Sequence, residues 1–103
     1  MSGRRQIDRS YPVSLHFRYN SLTLRERDYL RAMAELGAGP HRSGDIADEL
    51  AMTVQSAGPL RSGLIGKGMI YSPAHGDTAF TVPLFDKFLR RIMPAWQLRR
   101  ARS

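Results

Sequence analysis

Cysteine is absent from the 103 residues, which removes disulfide bridges and thiolate zinc sites from consideration. No apolar run approaches the roughly 20 residues that a membrane-spanning helix needs. The opening "MSGRRQIDRSYPVSLHFRYN" carries positive charge without the apolar stretch of a signal peptide, so the expectation is an unexported, cytoplasmic protein with no membrane contact. A phosphate-cradling G-x-x-x-x-G-K-[ST] run is missing too, and with it a nucleotide-binding loop of that kind. His16, His41 and His75 stand far apart, with no H-x-x-x-H pair, no carboxylates at metal-ligand spacing and no serine in a nucleophile-elbow context. These gaps argue against an enzyme and against any metal or other cofactor.

What is present is enough apolar content, 42%, for one compact core, and an excess of basic residues that leaves a net charge of +7. Such a charge points to a polyanionic partner only where it lies on a surface that can meet one. Its distribution is uneven. Residues 1–20 carry Arg4, Arg5, Arg9 and Arg18 against Asp8, and residues 87–103 carry six basic residues and no acid. Between Ser21 and Asp86, eight acidic residues outnumber six basic ones, so the middle of the chain is mildly acidic. This division suggests a basic arm over 1–20, a folded domain over 21–94 and a basic tail over 95–103.

Within the domain, "LTLRERDYLRAMAELG" reads as a helix opened by a capping box, Thr23 with Glu26, and closed by Gly37. Leu30, Met33 and Ala34 share its apolar face. "HRSGDIADELAM" reads as a second helix with Ser43 at its N-cap and an acidic outer side. In "SAGPLRSGLIGKG", Ala57, Leu60, Leu64 and Ile65 define an inward face, and Pro59 sets the start near Ser56 or Ala57, since proline suits the first helical turn. "MIYS" and "TAFTV" then form a hairpin around "PAHGD", and "PLFDKFLRRIM" gives an amphipathic last helix with Pro83 at its first position.

Helix, helix, turn, helix, hairpin, helix is the order of a winged helix-turn-helix, a mainly α fold with a small β-hairpin (α+β). Its third helix is the one such domains lay into the major groove of duplex DNA. On that reading Gln55 and Arg61 are candidates for base edges, Ser56, Ser62 and Lys67 for the helix's other contacts, His75 for the wing, and Arg99, Arg100 and Arg102 for salt-dependent phosphate anchoring. Against it stands the plainer possibility of a solvated helix face, and the wing turn "SPAHGD" holds no lysine or arginine. A neutral third helix beside an acidic second one suits docking on another protein, and Trp96 and Leu98 offer apolar area for pairing two copies.

"LTLRERDYLRAMAELG", "LRSGLIGKGMIY" and "TAFTVPLFDKFLRR" also resemble the C-terminal winged-helix region of bacterial AAA-type ATPases, a group that includes origin-recognition-like ATPases. The similarity runs from about Phe17 to Arg91 and is most specific in "YLRAMAELG" and "FTVPLFDKFLRR". It implies a DNA-associated, transcription-regulator-like role, or docking on an AAA ATPase, for a chain that is either free-standing or the terminal piece of a longer ATPase.

Overall fold

The computed structural model describes residues 9–96. Along the chain these form α1 (Val13–Asn20), α2 (Leu24–Leu36), β1 (His41–Arg42), α3 (Ser43–Glu49), α4 (Val54–Gly66), β2 (Ile70–Tyr71), β3 (Asp77–Phe80) and α5 (Phe85–Ile92). The strands make one antiparallel sheet in the order β1-β3-β2, with His41 opposite Thr78 and Ile70 opposite Phe80. Five helices with a small three-stranded sheet in this order form a mainly helical α+β arrangement compatible with a winged helix.

Capping fixes α2. The Thr23 hydroxyl accepts from the Glu26 amide at 3.1 Å, and the Glu26 carboxylate accepts from the Thr23 amide at 2.9 Å, so two otherwise orphaned donors are satisfied reciprocally. At the other end Gly37 turns out of the helix at φ 115°, a conformation that costs glycine nothing. Leu30, Ala32, Met33 and Ala34 have no exposed surface, which makes α2 the centre of the core. Helix α5 lies along it and contributes Phe85, Phe88 and Leu89, all fully buried.

Folded structure extends beyond the 21–94 span at both ends. Helix α1 lies in what reads as the basic arm. It buries Leu15, and Tyr11, His16 and Tyr19 set their ring edges against Phe88 at centroid distances of 5.5, 4.8 and 6.1 Å. Beyond Pro94, Trp96 is 4% exposed, and its indole N–H donates to Glu49 at 3.2 Å, so its ring belongs to this core and is not open to a second copy. Arg31, itself buried, donates to the Met93 carbonyl at 3.0 Å and lies 5.9 Å from the Trp96 ring, which holds the chain end against α2.

Four local details differ from the expectation. Helix α4 starts at Val54, because Thr53 supplies the cap by accepting from the Ser56 amide at 3.0 Å. Pro59 therefore sits inside the helix, where the carbonyl it cannot serve is that of the exposed Gln55. Ser43 is the first helical residue of α3 and not its cap, because its hydroxyl is turned to Thr78. Leu84, in the left-handed region at φ 69°, precedes α5 and is half exposed, so Pro83 lies outside the helix. Ile65, expected on the inward face of α4, is 40% exposed.

If α1 is part of the cooperative unit, Leu15→Ala should cost about 2–5 kcal/mol, the range for emptying a buried leucine site. Phe17→Ala, two residues on but 71% exposed, should stay within about 0.5 kcal/mol. Urea midpoints measure both; equal small effects would place α1 outside the unit.

Candidate nucleic-acid interface

Helix α4 packs on the core through Ala57 and Leu64, with Leu60 partly buried, and leaves Val54, Gln55, Ser56, Pro59 and Ser62 exposed. It comes very close to α2. A Cβ on Gly63 would stand 3.1 Å from the Glu26 carboxylate, so only glycine passes there without displacing that group. The wing, β2 and β3 with their turn, stands beside α4, and between them opens a cleft of about 420 Å³ lined by Val54, Ala57 and Arg61 of α4 and by Ser72 and His75 of the wing.

The six expected contacts within the described residues divide into two groups. Gln55, Ser56, Ser62 and His75 are exposed, although the Ser56 hydroxyl also accepts from Thr53 at 2.9 Å and so serves the cap. Arg61 and Lys67 are engaged within the molecule. The Arg61 Nε donates to the Thr78 hydroxyl at 2.8 Å and one terminal nitrogen to the Asp77 carbonyl at 3.0 Å, so the guanidinium is turned to the wing and away from a base edge. Lys67 donates to Glu26 at 2.7 Å and to the Ser21 carbonyl at 3.0 Å, tying the end of α4 to the start of α2. Arg99, Arg100 and Arg102 lie outside the described residues.

Thr78 is the hidden member of this site. It is fully buried, and its hydroxyl meets Arg61 and also Ser43 of α3 at 3.2 Å. Tyr29 of α2, 1% exposed, lies beside this group; burial raises the pKa of its phenol, while Thr78 and the charge of Arg61 act in the opposite direction. No buried side-chain nitrogen or oxygen among the described residues is left without a partner. Around the site the charge is mixed: Arg42 is exposed at the end of β1, and Asp45 and Asp48 are exposed on α3. Among the described residues no three His, Cys, Asp or Glu side chains gather in a way that holds a metal ion.

A family model described as a domain of unknown function, DUF8462, matches residues 14–89. The chain belongs to that family. No curated protein and no solved structure matches it. The DUF8462 span begins in α1 and ends in α5, so it takes in the whole α4–wing cleft and both engaged cations.

The Glu26–Lys67 pair gives the DUF8462 domain a pH signature. Burial raises the Glu26 pKa, but the hydrogen bonds from Lys67 and Thr23 and the Lys67 charge outweigh it, leaving the carboxyl below its usual value of 4.5. A carboxylate with a depressed folded pKa contributes stability that is present above its unfolded pKa and lost as pH falls through the folded one. Lys67→Met should therefore be less stable than the parent at neutral pH, and the difference should shrink as pH drops below about 4.5. Denaturant midpoints across that range measure it; a difference independent of pH would mean that the pair acts through packing alone.

Proposed function

We propose that this DUF8462 domain is a cytoplasmic, non-catalytic DNA-binding module that places α4 in the major groove of duplex DNA with the wing beside it. The observation that carries this reading is the outward row on α4, Gln55, Ser56 and Ser62, free of acidic side chains and flanked by the wing. Glutamine recognises adenine edges through paired hydrogen bonds, and serine hydroxyls serve either bases or phosphates. With Arg61 and Lys67 engaged internally, base discrimination is weak, and attraction falls to Arg42 and to the arginine-rich ends, including Arg99, Arg100 and Arg102. Among the described residues no helix is long and apolar enough to cross a membrane, which fits the cytoplasmic part of the reading.

Protein docking, on an AAA-type ATPase or a second copy, is the second reading. It draws on the apolar side chains that the helical body leaves open: Phe17 is 71% exposed, Leu24 73% and Val13 52%. The resemblance to AAA-ATPase winged helices supports either reading.

Fluorescence anisotropy of random-sequence duplex DNA, titrated at several salt concentrations, separates them. DNA binding requires affinity that falls linearly in log salt with a slope of about −0.9 per phosphate neutralised. Removing residues 97–103 should flatten that slope, and Gln55→Ala should leave it unchanged while lowering any preference among sequences. No binding at low salt would reject the DNA reading in favour of docking.

A further inference from the structure

The α4–wing cleft holds a cation without a counter-ion among the described residues. Arg61 is half-buried, and two of its bonds, to Thr78 and to the Asp77 carbonyl, fix the guanidinium in place. A guanidinium has five N–H donors, so three remain once those two are used. Each of the ion pairs among the described residues joins other partners, Arg31 to Glu35, Lys67 to Glu26 and Arg90 to Asp86, so no carboxylate lies within 4.0 Å of Arg61. A partly desolvated, immobilised and uncompensated cation has much to gain from an oxyanion, which it can grip with two parallel hydrogen bonds. Ser62 and His75 stand on the same cleft walls and add donors.

The remaining lining has a different character. Val54, half exposed, offers carbon above a floor closed by Ala57 and the Tyr29 ring, and the volume of about 420 Å³ lies within the range of about 300–1,000 Å³ usual for small-molecule sites. A phosphodiester would meet Arg61 but gain nothing from these apolar walls. A compact organic acid satisfies both, with its charged group on Arg61 and its hydrocarbon body against α4. We propose that the cleft binds a small organic anion, a carboxylate or phosphate monoester with an apolar body. This site stands whether or not the domain binds DNA.

Benzoate and phenyl phosphate, with benzyl alcohol as the neutral control, test the site in two-dimensional ¹H–¹⁵N spectra of the full chain. Saturable shifts are expected at the amides of 57–62 and 72–76 and at the Arg61 Nε–H resonance, with benzyl alcohol at least about tenfold weaker, the factor set by losing one strong polar contact. Arg61→Met should weaken both anions by about tenfold or more. Because that change also removes the bond to Thr78, Gly58→Leu provides a second variant: a Cβ there meets nothing within 4 Å, so a larger side chain fills the cleft and leaves the Arg61 bonds intact. It should abolish binding while the spectrum stays folded. Absence of saturable shifts at millimolar anion, or undiminished binding in Gly58→Leu, would overturn the proposal.

Discussion

The hydroxyl of Thr78 is where the sheet is joined to the helices. It sits on the central strand, fully buried, and is shared by Arg61 of α4 and Ser43 of α3. A buried polar group deprived of its partner costs about 1–3 kcal/mol, so both of these side chains are held to one geometry by the same atom. The register of β3 against β1, which puts Thr78 opposite His41, brings that atom to the start of α3. From this follow the stance of the wing beside α4, the shape of the cleft, and the withdrawal of Arg61 from the outer face.

The same economy governs several other cations of the domain. Arg31 and Arg90 donate to main-chain carbonyls, of Met93 and Ala34, and pair with Glu35 and Asp86; Arg27 lies 4.2 Å over the Tyr19 ring. Lys67 closes α4 onto α2. A long basic side chain that spans an apolar surface and ends on a carbonyl works as a strut, and its donors are used inside the fold instead of on an external partner. A net charge of +7 thus overstates what the folded body offers to a polyanion. For DNA binding, this shifts the burden onto the chain ends, where attraction is sensitive to salt and indifferent to sequence.

How much of this could be read in advance depended on how local each cause is. The capping box at Thr23 and Glu26, the exit at Gly37 and the inward faces of α2 and α5 each arise within a few residues, and they hold in the structure. Helix α1 was harder to see, because Val13, Leu15 and Phe17 alternate with polar residues and mimic a strand or a loose arm. Its real signal is the four-residue spacing of Tyr11, Leu15 and Tyr19, the three that face Phe88 and the core. At α4 the proline rule outweighed a cap two turns upstream, although Thr53 and Ser56 have the spacing of one. Strand β1 is two residues long and has no pattern to read. Thr78 had no signal at all: its partners Ser43 and Arg61 are scattered along the chain, and only the folded topology assembles them. Arg61 and Lys67 were candidates for outward contact on helix position alone, and tertiary partners claimed both.

A double-mutant cycle on Arg61 and Thr78, read by urea unfolding, tests the attachment of the wing most directly. If the two side chains act through one bond, Arg61→Met and Thr78→Val should be non-additive, with a coupling energy of about 0.5–3 kcal/mol. Additivity to within about 0.3–0.5 kcal/mol would show that Arg61 is energetically free of the wing, and would return it to the outer face as a contact for DNA.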